Sequence, residues 1–356
     1  MMNRRSFSRA VGLGAGATAV SAIGLPTAAT AASAGRPGGT RGPAPTVPAV
    51  VPGTHTEFTR LKQVRAGVLD IGYAEVGPAH GPVVICLHGW PYDIHSFVDV
   101  APLLAAAGYR VIVPYLRGHG TTRFLSAGTF RNAQQSAIAV DIIALMDALR
   151  IDRAVLAGFD WGSRTADIIA ALWPERVSAL VSVSGYLITD VAAQAKPLAA
   201  AAEHTWWYQF YFATERGRLA MESPIDRPAL CRLVWDTVSP NWHFDDATFA
   251  RTAAAFENPD YPAIVIHNYR WRLGLADGER CYDALERKLA ARPRITVPTV
   301  TLDPALDPFT APGDGSAYRS FFAGPYVHRT LSGVGHNLPQ EAPTAFAQAV
   351  VDADHL

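Results

Sequence analysis

Three cysteines, Cys86, Cys231 and Cys281, are all the chain has in 356 residues, too few and too scattered for a disulfide framework or a zinc site. Charge of one sign is equally lacking: 31 Lys and Arg balance 31 Asp and Glu, which removes any general attraction to nucleic acid or anionic membranes. Beyond the N-terminal segment no apolar run approaches the roughly 20 residues of a membrane span. There is no internal repeat, and the only dense glycine run lies in that same segment, so a phosphate-binding loop is missing. His95, His119, His204, His243 and His267 show no metal-ligand spacing. No metal, nucleotide or other cofactor is expected. Apolar residues are what the chain does have: 49% against 17% charged, enough for a large core.

Residues 1–34 differ in kind from the rest. Arg4 and Arg5 precede a mildly apolar run that ends in small residues, where Ala29-Thr30-Ala31 or Ala32-Ser33-Ala34 offers a cleavage site. The segment resembles a twin-arginine export signal. That resemblance implies the twin-arginine machinery as a partner, an exported (extracellular or periplasmic) location and no stable membrane insertion once the signal is removed. Residues 35–58 begin with "GRPGGTRGPAPTVPAVVPG", which is Pro- and Gly-rich without periodicity, so a mobile linker that packs against little is expected.

From about Thr59 short β-rich runs alternate with helical ones. "GVLDIGYAEVG", "PVVICLHG", "RVIVPYL", "RAVLAGFD" and "SALVSVSGY" read as strands. Between them "FVDVAPLLAAAGY", "NAQQSAIAVDIIALMDALRI" and "SRTADIIAALWPERV" read as helices. Such alternation argues for an α/β fold, a mostly parallel sheet flanked by helices. Residues 187–291 break the pattern: they are helix-prone and aromatic, with "HTWWYQFYF" and "AIVIHNYRWRL". The strands resume in "RITVPTVTLD" and "YVHRTLSGVGH", and a last helix starts at Pro343. The expected organisation is a core of residues 59–186 and 292–356 with an inserted helical lid, 187–291, over the strand ends where ligands bind in open α/β sheets.

The stretch "VLAGFDWGSR" runs from strand to helix through a Gly-x-Asp-x-Gly turn. Gly158 and Gly162 permit a turn tight enough to push the central side chain, Asp160, out over the sheet. An aspartate there would ordinarily cap the next helix. Three further features accompany it: "CLHGWP" after an earlier strand, "TLDPALDPF" with Asp303 and Asp307, and "SGVGHNLP" with His336. The order nucleophile, acid, histidine and these motifs together resemble the α/β-hydrolase fold, epoxide hydrolase branch, from about Thr59 to the C-terminus.

The chemistry of a carboxylate nucleophile supports that reading. Serine attacking a saturated carbon would leave an ether that water cannot cleave, whereas aspartate leaves an ester, and it is already ionised at neutral pH. The resemblance implies Asp160 as nucleophile, His336 as the base that activates water, and Asp307 as its acid, with Asp303 the competitor. The backbone N–H groups of Trp90 and Trp161 would form the oxyanion hole. His88 resembles a histidine that shapes its loop and transfers no proton. Tyr208 and Tyr269 resemble paired lid tyrosines that hold and protonate an epoxide oxygen, with Tyr211 the alternative to Tyr208. The substrate so implied is an epoxide, opened by water to a vicinal diol; the lid's Trp206, Trp207, Phe210, Phe212, Trp235 and Trp242 point to a small apolar one, or equally form the lid's own core. Haloalkane dehalogenases share the Asp-Trp elbow and remain the alternative, with Trp161, Trp206 or Trp207 as halide donors. An esterase using Ser184, or a binding protein on the same scaffold, is a further alternative.

Overall fold

The computed structural model describes residues 44–309 and 313–356. The expected export signal and the start of the linker lie outside the described residues. Among the described residues nine strands form one sheet: β1 (Leu61–Ala66), β2 (Leu69–Val76), β3 (Val83–Leu87), β4 (Arg110–Pro114), β5 (Arg123–Phe124), β6 (Ala154–Gly158), β7 (Val177–Val183), β8 (Thr299–Pro304) and β9 (Tyr326–Leu331). Their spatial order is β1-β2-β4-β3-β6-β7-β8-β9, with β5 beside β2. The partners of β2 run antiparallel to it, and every pair from β4 through β9 is parallel. All five residues of β6 are buried, and its neighbours β3 and β7 are nearly so, as their continuous apolar sequences require of strands covered on both faces.

Helices α1 (Val100–Ala106), α2 (Gln135–Ala148) and α3 (Trp161–Leu172) follow β3, β5 and β6. Helix α3 stops before Pro174, whose ring cannot continue it. Between β7 and β8 the chain is helical: α4 (Ala200–Thr205), α5 (Trp207–Ala213), α6 (Glu215–Glu222), α7 (Asp226–Val238), α8 (Asp246–Ala253), α9 (Tyr261–Arg272) and α10 (Asp283–Ala290). The chain then adds α11 (Ser316–Arg319), α12 (Leu338–Glu341) and α13 (Pro343–His355). Pairs α1–α13 and α2–α3 pack together, and α3 and α13 both cover β7. The apolar residues of sheet and helices form one continuous core.

Three details differ from expectation. Residues from Ala44 to His55 do not behave as a linker that packs against little. Val47 is buried, its amide donates to Gln348 Oε1 at 2.9 Å, and the Val50 amide donates to Thr344 Oγ1 at 3.0 Å, both on α13. The Gly53 and His55 amides both donate to the Asp99 carboxylate. Pro45, Pro48 and Pro52 reduce the number of amides that need partners, and those of Val47, Val50, Gly53 and His55 find side-chain acceptors. Strand β1 is largely exposed at the sheet edge and shows no apolar alternation, which is why "LKQVRA" did not read as strand. Strand β8 begins only after Pro298, which has no N–H to give a ladder.

Register brings the loops together. Leu87 of β3 pairs with Gly158 of β6, so the turns that follow, 88–91 and 159–162, lie side by side. Pro304 pairs with Leu331, and the Leu306 amide donates to Val334 O at 2.9 Å, which sets the loops holding Asp307 and His336 against each other.

Candidate active site

Asp160 has φ 53° and ψ −122°, a left-handed conformation that L side chains rarely adopt. Close packing enforces it. A Cβ on Gly162 would sit 1.9 Å from Leu87 O, and one on Gly158 would sit 2.4 Å from Gly162 C, so only glycine lets helix and strand approach this closely. The Asp160 side chain makes no helix-capping hydrogen bond, which removes the ordinary reason for an aspartate at a helix start. Instead Oδ1 accepts the Trp90 amide at 2.8 Å. Trp161 is the first residue of α3, and its side chain is buried.

The "HGWP" turn that delivers Trp90 is itself fixed by His88. Its Nδ1 lies 2.9 Å from Gly89 O, and its Nε2 accepts the Leu116 amide at 3.1 Å. Burial lowers the His88 pKa and keeps the ring neutral. A side chain on Gly89 would run into Asp160, 2.5 Å from Oδ1.

His336 Nδ1 is 2.7 Å from Asp307 Oδ2, and its Nε2 is 3.6 Å from Asp160 Oδ2. Asp303, the other carboxylate of that loop, accepts the Tyr318 hydroxyl at 2.7 Å and does not pair with His336. Burial disfavours the charged imidazole, but Asp307 and Asp160 outweigh it and raise the His336 pKa to about 10. Asp160 shows the complementary effect: burial opposes ionisation, yet His336, Arg164 and the Trp90 amide hold its carboxyl below the usual range.

Above the elbow, Tyr208 on α5 and Tyr269 on α9 meet edge to face, with ring centroids 5.3 Å apart. The Trp90 ring packs on both. Burial, then neighbouring groups including Asp160, raise both phenol pKa values, so each keeps its proton at neutral pH. Tyr208 lines the cavity over Asp160 and Tyr269 stands behind it. Tyr211 faces elsewhere, against Trp207 and Phe212.

That cavity, about 270 Å³, holds Asp160, His336, Tyr208, Trp206 and Phe309. The expectation of an apolar site needs correction: Arg164, Arg272, Arg292, Asp190, Gln194 and Gln209 line it too. Several lid aromatics that pointed to apolar substrate, among them Trp235 and Phe212, are fully buried among other lid rings. Sequence reasoning passed over the arginines. Arg164 carried a usable signal, since it lies one helical turn after Asp160 on the same face of α3.

The sequence model of the alpha/beta hydrolase fold matches residues 82–323. The chain belongs to the alpha/beta hydrolase fold family. This hydrolase is 59% identical to a candidate epoxide hydrolase of known structure from Klebsiella pneumoniae, over 84% of this chain and 98% of that one, with a TM-score of 0.82. It is 37% identical to epoxide hydrolase 2 of Siraitia grosvenorii over 34% of its own length and 37% of the plant protein's, so it spans about a third of that relative. It is also 28% identical to a haloalkane dehalogenase of Mycobacterium marinum, over 57% of this chain and 67% of that one. These similarities are to proteins of the epoxide hydrolase type.

Proposed function

We propose that this hydrolase opens an epoxide to a vicinal diol through an ester on Asp160. Asp160 Oδ2 attacks an epoxide carbon from behind the breaking C–O bond, and Tyr208, with Tyr269 behind it, gives the departing oxygen its proton. A phenol suits this step because it can donate without being charged beforehand. Oδ1, already on the Trp90 amide, becomes the ester carbonyl oxygen, with the Trp90 and Trp161 N–H groups as its oxyanion hole.

The second step is ester hydrolysis. Forming the ester removes the Asp160 charge, one of the two that raise the His336 pKa, so the imidazole can shed its proton and act as a base. Asp307 holds the ring through Nδ1, and Nε2, which has no direct hydrogen bond, takes a proton from water. The water oxygen enters the Asp160 carboxyl, the acyl carbon–Oδ2 bond breaks, the second water proton passes to the departing Oδ2 to complete the diol, and the proton on His336 returns to the phenolate.

The observation that carries this reading is a carboxylate at a strained elbow, with a histidine–aspartate pair on one side and two phenol rings in contact, Tyr208 and Tyr269, on the other. The dehalogenase reading draws support from the Trp161 indole N–H, which is buried without a partner, but Trp161 does not line the cavity. Intact mass of the His336→Gln variant after exposure to epoxides decides. An adduct equal to the whole epoxide on the Asp160 peptide supports the proposal. Adducts formed only from haloalkanes replace it with dehalogenation, and no adduct together with ester hydrolysis by the wild type removes the carboxylate mechanism.

A further inference from the structure

The cavity over Asp160 carries positive charge that the proposed chemistry leaves unused. Arg164 projects from α3, one turn beyond the nucleophile. Its Nε donates to Leu187 O at 3.1 Å, and its terminal nitrogens meet no acceptor among the described residues. Arg272 comes from the lid, one turn beyond Tyr269 on α9. Its Nε is buried without a partner, and it makes no ion pair among the described residues.

Elsewhere the chain treats buried guanidinium groups differently. Arg117 is held by Asp141 through two bonds of 2.6 and 2.7 Å, and Arg227 reaches Glu257 at 2.9 Å. Pairing of that kind is the general rule for buried charge. Arg164 and Arg272 line one cavity, and neither is engaged in an ion pair among the described residues. Burial and repulsion from Arg272 lower the Arg164 pKa to about 10, as expected of neighbouring cations without a shared counter-charge. Asp160 attracts Arg164, but its oxygens are directed at the Trp90 amide and His336. Asp190, also on the cavity wall, accepts the Ala193 amide, and Arg292 lies 4.3 Å over the Phe321 ring.

We propose that Arg164 and Arg272 form a subsite for a carboxylate on the substrate, which makes the preferred substrate a small epoxide bearing an acid group. This rests on the epoxide hydrolase reading. A planar guanidinium matches carboxylate geometry, and one arginine on the core with one on the lid would hold the acid while the ring carbon meets Asp160.

The test compares trans-2,3-epoxybutanoate with its neutral isostere trans-2,3-epoxybutan-1-ol, and includes 2-chloropropanoate. The expected result is a kcat/KM at least tenfold higher for the epoxy acid, carried mainly by KM. In Arg272→Met and Arg164→Met that preference falls at least tenfold. Propanoate should compete with the neutral epoxide on the wild type, a measurement that needs no variant to fold. Equal or better turnover of the alcohol with no inhibition by propanoate overturns the subsite and leaves epoxide hydrolysis standing. Turnover of 2-chloropropanoate and of neither epoxide overturns epoxide hydrolysis and retains the anion subsite.

Discussion

Gly162→Ala tests whether close packing at the elbow sets the nucleophile. The added Cβ would lie 1.9 Å from Leu87 O and 2.9 Å from His88 O, whereas ordinary contact begins at 3.4 Å, so helix α3 or the 87–90 turn must give by 3.4 − 1.9 = 1.5 Å. Both atoms are backbone, and no side chain can swing away to absorb the change. Overpacking of this kind destabilises by about 1–3 kcal/mol, which for a domain of this size lowers Tm by roughly 3–10 °C. Activity should suffer more. The displaced parts are the Trp90 amide, 2.8 Å from Asp160 Oδ1, and the start of α3, and a misplacement of about 1 Å can cost on the order of 100-fold in rate. The assay is a thermal melt beside kcat/KM on one epoxide, with Gly128→Ala as control, because its Cβ would find its nearest neighbour at 3.6 Å. A Gly162→Ala enzyme with the melting point and kcat/KM of the wild type would refute the packing argument.

Three other perturbations follow from the site. Tyr208→Phe combined with Tyr269→Phe should reduce epoxide opening by on the order of 10²–10⁴-fold in single-turnover kinetics, the usual worth of a general acid; wild-type rates in the double variant would make the pair mere packing. Decay of the Asp160 ester should speed up as pH rises, because only neutral His336 serves as base. Its midpoint should fall below about 10, since the ester no longer supplies the Asp160 charge, and fall further in Asp307→Asn. A decay rate flat in pH would exclude His336. Finally, replacing Arg4 and Arg5 together with Lys should retain the protein in the cytoplasm on fractionation, and unchanged export would remove the reading of residues 1–34.

The legible parts of the molecule were those written in local signals. Continuous apolar runs mark β3, β6 and β7, and paired glycines around one aspartate mark the elbow, because each feature needs only its own neighbours. Features that depend on distant partners stayed hidden. The packing of Val47 and Val50 relies on Gln348 and Thr344 respectively, and the strand character of "LKQVRA" relies on β2 alone. Helical spacing could not separate Tyr208 from Tyr211; the seating of α5 against α9 does, by turning Tyr208 toward Tyr269. The sequence favours Asp307 over Asp303 only by its place in the family pattern; the 2.7 Å contact with His336 is made by Asp307, a pairing of two distant loops that nothing local encodes. The arginines of the cavity come from core and lid, and nothing local to either predicts that they share a wall.

The central claim is that the first bond to the substrate comes from Asp160 and not from water. A single turnover of a bound epoxide in heavy-oxygen water tests it. The account predicts that the first diol carries only ordinary oxygen, drawn from Asp160 Oδ2, while the Asp160 peptide gains one heavy oxygen. Heavy oxygen in the first diol, with an unlabelled Asp160 peptide, would contradict it, because water would then have attacked the epoxide directly.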